Sequence, residues 1–158
     1  MSDIPCRTPS AECAIRKATI RLDIEADRPE DIIRILADAL RGDNEAFDAD
    51  CFVGAVMKRE EIQTTAMRQE VAFPHARLCG VPGGLALAVG VLRRPVTWGP
   101  ESLPIRIVFL IGSHPQHAAI YLTLLRTLSC AVYDEKARER MAACGDTEVV
   151  RAALASSL

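Results

Sequence analysis

The three histidines of this chain fall in two places. His75 stands in Val71-Ala-Phe-Pro-His-Ala-Arg77, and His114 and His117 share Gly112-Ser-His-Pro-Gln-His-Ala118. Pro74 has a fixed φ and biases Phe73 to an extended conformation, so the imidazole of His75 leaves its strand at a defined angle. With an ordinary pKa of about 6.5, much of that imidazole is neutral at neutral pH, and a neutral, rigidly held imidazole can attack phosphorus. Arg59 and Arg77 offer guanidinium groups that match phosphoryl oxygens, while Thr64 and Thr65 add hydroxyl donors. These residue types suit a nucleophilic imidazole with cations and hydroxyls placed for phosphoryl oxygens.

A zinc site built from His75, His114 and His117 is the competing use of the same residues. It lacks the helix-spaced H-x-x-x-H or well-placed carboxylate that catalytic zinc sites commonly show, so no metal is expected. The six cysteines, Cys6, Cys13, Cys51, Cys79, Cys130 and Cys144, contain no C-x-x-C pair. They are expected to act as small core hydrophobes.

The elements that must position these residues follow from periodicity. Alternation over Ala18–Ile24 predicts a strand with one wet face. Asp27 reads as the N-cap of a helix with Pro29 in its first turn, an apolar stripe from Ile32 to Leu40, and a stop at Gly42. A second helix is predicted from Asp48 to the charged cluster Lys58-Arg-Glu-Glu61. The runs Val71–Phe73, Leu85–Leu92 and Ile105–Ile111 read as strands, the last two apolar enough to be covered on both faces. A long helix is predicted after Pro115, followed by helices capped by Asp134 and Asp146. Residues 1–14 read as a flexible N-terminal arm and 15–158 as one domain. The fold expected is α/β, a single-domain sandwich with a mixed sheet of about four to five strands flanked by helices. Trp98 is expected to pack a turn between strands, and Arg93-Arg94 to be a solvated strand end.

Composition narrows the function. Nineteen basic against twenty-one acidic residues give a net charge of −2, which argues against a nucleic-acid partner. No apolar run approaches the roughly 18 residues of a membrane span, and the N-terminus lacks a secretory pattern, so a cytoplasmic protein is expected.

Lys58-Arg-Glu-Glu-Ile-Gln-Thr-Thr65, a short spacer, and then Val71-Ala-Phe-Pro-His-Ala-Arg77 resemble the active-site signature of one family. It is the enzyme IIA domain of the mannitol/fructose class in the bacterial phosphotransferase system, which includes the nitrogen-regulatory enzyme IIA proteins. The resemblance runs from about Ile20 to the C-terminus. It implies a phosphotransferase in which His75 accepts a phosphoryl group from the histidine-containing phosphocarrier protein. The group then passes to a separate IIB domain, which would lie on another polypeptide, or is held as a regulatory signal. No organic cofactor is implied. Arg59 maps onto the arginine of the family's R-E pair and Arg77 onto the basic residue after its histidine.

Two departures stand out. Where family members often carry a second active-site histidine before a leucine, this chain has Tyr121 before Leu122; His117, one helical turn earlier, is the other supporting candidate. The family's loop before A-x-P-H is rich in glycine, whereas Thr64-Thr-Ala-Met-Arg-Gln-Glu70 has none. Ala66, Arg68 and Glu70 would be strained wherever that loop needs positive φ. The alternative function, a regulatory or interaction module that keeps the fold without phosphotransfer, follows from these departures.

Overall fold

A computed structural model describes residues 8–158. The chain passes through α1 (Ala11–Arg16), β1 (Thr19–Ile24), α2 (Pro29–Arg41), α3 (Ala49–Ile62), β2 (Ala66–Met67), β3 (Val71–Ala72) and β4 (His75–Arg77). It continues through β5 (Leu85–Trp98), β6 (Leu103–Ser113), α4 (Ala118–Tyr133), α5 (Glu135–Ala143) and α6 (Thr147–Ala155), with 3₁₀ turns at Pro82–Gly84 and Pro115–His117. The six strands form one open mixed sheet in the order β1-β5-β6-β3-β2, and β4 also pairs with β6. The fold class expected from periodicity holds, with short β2 and β4 added to the strands legible as apolar runs.

The antiparallel β5–β6 pair is the centre of the sheet, flanked by β1 parallel to β5 and by β3 and β4 parallel to β6. Both central strands are apolar on both faces because helices cover both. Leu85, Leu87, Val89, Ile107, Phe109 and Ile111 pack into one core with residues of α1, α4, α5 and α6. Their alternate neighbours Ala88, Leu92, Val108 and Leu110 pack into a second core with α2 and α3. The period of two along each strand thus divides the apolar residues between two layers. Among the described residues no helix is long and apolar enough to cross a membrane.

Three N-caps fall where the sequence puts them. Asp48 accepts from Cys51 N–H (3.0 Å), Asp134 from Lys136 N–H (3.0 Å) and Asp146 from Glu148 N–H (2.9 Å). The expected Asp27 cap is corrected: α2 begins at Pro29, whose preset φ suits a first helical position, so the cap is Arg28, which makes no side-chain cap bond. Arg28 instead pairs with Asp31 at 3.2 Å.

The expected arm is also revised. Residues 1–7 lie outside the described residues, but Ser10 caps α1 by accepting from Cys13 N–H (3.0 Å), and Ala11, Ala14 and Ile15 are buried. The Arg151 guanidinium donates to the carbonyls of Ile15, Arg16 and Ala18 at 2.9–3.1 Å, tying α6 to the end of α1. Strand β5 continues past Leu92 through a bulge between Val91 and Val96 to Trp98. Arg93 and Arg94 are exposed in that bulge, and Arg93 pairs with Asp23 and Glu25 across the strand ends. The cysteines are not core residues as a class: Cys13 is buried, but Cys51, Cys79 and Cys130 are exposed and Cys144 is partly exposed. Cys6 lies outside the described residues. Cys51 and Cys130 lie on exposed faces of α3 and α4, where alanine-rich neighbours mark a helix and not its inward face, and Cys79 lies in the turn after β4.

Candidate functional site

Strand β4 runs beside the end of β6, with His75, Ala76 and Arg77 opposite Ile111, Gly112 and Ser113. Ile111 N–H donates to Pro74 O and Leu78 N–H to Ser113 O, both at 3.0 Å, so the backbone around His75 is fixed on either side. Alternation puts Ala76 into the α2/α3 core, while Val71 and Phe73 enter the opposite core; His75 and Arg77 share their parity and face the α4 side. Phe73 stacks on Phe109 with ring centroids 5.1 Å apart, backing the site with the sheet's own core.

The same Phe73 orients the imidazole. Its carbonyl oxygen lies 2.9 Å from His75 Nδ1, and because a carbonyl only accepts, Nδ1 carries the proton and the lone pair belongs to Nε2. Across from this ring stands Tyr121 of α4, with centroids 5.2 Å apart and planes tilted by 34°. Tyr121 is 7% exposed, and among the described residues its hydroxyl makes no hydrogen bond and is not among the fully enclosed polar atoms.

The charges around this pair explain its protonation. Burial is the largest influence on His75 and lowers its pKa; the Phe73 carbonyl and Glu60 oppose it, while Arg59 and Arg77 lower it further. Burial likewise raises the Tyr121 pKa, against the pull of the same two arginines. Both guanidinium groups therefore bear on both rings, and the site holds a neutral imidazole and a protonated phenol under a positive field. Arg59 is half-buried in the last turn of α3 and donates from Nη1 to Gln63 O at 2.9 Å; Arg77 is exposed.

Thr64 and Thr65 are engaged elsewhere. The Thr65 hydroxyl donates to Glu60 Oε1 and its N–H to Glu60 Oε2 at 3.1 Å. Thr64 Oγ1 accepts from Ala66 N–H at 3.2 Å, and the Thr64 side chain packs so closely on Gly99 that a Cβ there would stand 2.7 Å from it. His117 lies against Gly84 and 5.6 Å from the ring of His114, whereas the ring beside His75 is that of Tyr121. His114 and His117 adjoin each other, but the three histidines form no common cluster, and among the described residues no group of three His, Cys, Asp or Glu is placed to hold a metal ion.

The glycine-free loop takes a path that avoids most of the expected strain. Ala66 and Met67 form β2, paired with Ala72 and Val71, and Glu70 alone in the loop has positive φ (64°). Its backbone is secured by Glu70 N–H to Met67 O at 3.1 Å and by Arg106 and Ile107 N–H donating to Glu70 O at 2.8 and 3.3 Å. Sequence reasoning missed Glu60 and the Phe73 carbonyl as parts of the site. Glu60 is the acidic half of the Arg-Glu pair already singled out for its arginine.

The open mixed sheet with helices on both faces matches the fold of solved phosphotransferase-system enzyme IIA domains. The crystal structure of the nitrogen regulatory protein IIA-Ntr from Neisseria meningitidis superposes with a TM-score of 0.77 at 24% identity, covering 85% of this chain and 92% of that one. The enzyme IIA of mannitol from Escherichia coli, solved in complex with phosphorylated enzyme IIB, gives 0.73 at 21% identity, covering 87% and 94%. Residues 14–157 match the family described as phosphoenolpyruvate-dependent sugar phosphotransferase system, EIIA 2, and the chain belongs to that family. The fructose-specific EIIABC component of Bacillus subtilis is 28% identical over 130 residues, 80% of this chain. The match spans 20% of that relative's own length.

Proposed function

We propose that this domain is a phosphohistidine carrier with His75 as the acceptor. Nε2 attacks the phosphorus of the phosphohistidine in the histidine-containing phosphocarrier protein. The donor N–P bond breaks as the Nε2–P bond forms, and the leaving imidazole keeps the electron pair. His75 becomes cationic, a state supported by the Phe73 carbonyl that accepts from Nδ1–H. Arg59 and Arg77 balance the phosphoryl charge, and Tyr121 donates a hydrogen bond to one oxygen. The group then passes to a IIB domain or serves as a regulatory signal in the cytoplasm. No organic cofactor or metal takes part, because positioning and charge supply what the transfer needs.

The hydrogen bond from Nδ1 to Phe73 O carries this reading, since it presents Nε2 as the nucleophile. Incubation with phosphoenolpyruvate and the general phosphotransferase proteins is expected to add one acid-labile, base-stable phosphoryl group, and His75→Ala to abolish it. The engagement of both Thr65 donors by Glu60 favours a second reading, a partner-binding module without phosphotransfer. A pulldown partner indifferent to His75→Glu supports that alternative.

A further inference from the structure

Glu60 is the acidic group that bears on His75, yet its carboxylate is directed into the scaffold. Oε1 accepts from the Thr65 hydroxyl; Oε2 accepts from Thr65 N–H at 3.1 Å and from the indole Nε1–H of Trp98 at 3.3 Å. Trp98, 2% exposed, closes β5 at the β5–β6 turn. The carboxylate therefore joins the end of α3, the turn into β2 and the β5–β6 hairpin. Thr64 presses on Gly99 of the same hairpin, so two consecutive residues of the turn are held there.

Arg59 depends on that turn. Gln63, the C-cap of α3, accepts from Arg59 Nη1 at 2.9 Å, and only Thr64 separates it from the Thr65 that Glu60 grips. Neighbouring helical residues project about 100° apart, so Arg59 points away from the direction in which Glu60 meets the hairpin; α3 packs against β4, and the Arg59 charge bears on both His75 and Tyr121. A turn released from Glu60 would carry Gln63 O away from Arg59 and set the guanidinium free. The cost of leaving Trp98 Nε1–H and Thr65 N–H without partners in a half-buried place opposes that release.

We propose that Glu60 is the positioning residue of this site: by gripping Thr65 and Trp98 it seats the α3–β2 turn on the β5–β6 hairpin and holds Arg59 beside His75. This rests on His75 being the phosphoryl acceptor. Glu60 also withdraws both Thr65 donors from any phosphoryl group, which leaves Arg59, Arg77 and Tyr121 to hold it.

The variants Glu60→Ala and Glu60→Gln separate positioning from charge. Glutamine keeps an acceptor for Thr65 N–H and Trp98 Nε1–H, and its amide donates to the Thr65 hydroxyl with roles reversed. Three readouts apply to the full chain: the rate of phosphoryl acceptance at His75, the emission of Trp98, the single tryptophan, and the Arg59 Nε–Hε resonance in side-chain NMR. Glu60→Ala is expected to slow acceptance by about 10- to 100-fold, the penalty of a misplaced charge partner, to red-shift Trp98 emission and to collapse the Arg59 resonance toward its free position. Glu60→Gln is expected to restore all three above pH 7. Should Glu60→Ala not fold, Thr65→Val removes one donor alone and is expected to move the same readouts in the same direction by less. An Arg59 resonance and Trp98 emission unchanged in Glu60→Ala, or a glutamine variant as impaired as the alanine one, overturns the proposal. A wild-type domain that takes no phosphoryl group overturns the reading of His75 instead, and the Arg59 and Trp98 signals still decide whether Glu60 positions the turn.

Discussion

The rings of His75 and Tyr121 pack 5.2 Å apart at a tilt of 34°, so the phenol stands over the imidazole as its nearest aromatic neighbour. Its hydroxyl is free of hydrogen bonds to the described residues, and its raised pKa keeps it a donor at every pH at which the site works. Tyr121→Phe preserves the ring contact and deletes that donor. The expected result is phosphoryl acceptance slowed by about 10- to 100-fold, the value of a hydrogen bond to a charged oxygen, with thermal stability unchanged. Transfer rates and a melting curve on the same sample check both halves.

The depressed pKa of His75 sets the pH dependence. The imidazole is fully neutral above its ordinary range, so acceptance is expected to stay level from alkaline pH through neutrality and to fall only below about 6.5. Because Arg59 lowers this pKa, Arg59→Ala is expected to move the titration of His75, followed by NMR, upward while slowing transfer. Stability has a matching sign. The unfolded chain binds the His75 proton more readily than the folded one, so stability falls as pH drops from about 6.5 through the folded pKa.

The backing of the site sits in the core. Phe109 is fully buried and stacks on Phe73, whose carbonyl orients His75. Phe109→Ala is expected to cost about 3–5 kcal/mol in denaturant unfolding, as for large aromatic truncations in tight cores.

Much of this arrangement is legible in residue order. Pro74 before His75, and the apolar runs of β5 and β6, announce a histidine fixed at a sheet covered on both faces. Asp48, Asp134 and Asp146 mark helix starts because a short acidic side chain answers free N–H groups. Strand β4 has no such mark, since His75-Ala-Arg77 pairs only because β6 lies alongside. The engagements of Thr64 and Thr65 are equally hidden: a hydroxyl near a candidate histidine in sequence gives no sign that Glu60 holds Thr65 or that Thr64 accepts from Ala66 N–H. Asp27 failed as a cap because Pro29 moved the helix start one residue onward. The cysteines illustrate the same limit, for helical neighbours do not tell which face of a helix is wet.

The central claim is that Nε2 of His75 receives the phosphoryl group while Nδ1 stays bound to Phe73 O. ³¹P and ¹⁵N NMR of the domain phosphorylated from phosphoenolpyruvate through the general phosphotransferase proteins tests it most directly. One phosphorus signal coupled to Nε2 of His75, with Nδ1 still protonated, is the result expected. A phosphoryl group on Nδ1 of His75 or on another histidine, or none under conditions that load an authentic enzyme IIA, would contradict it.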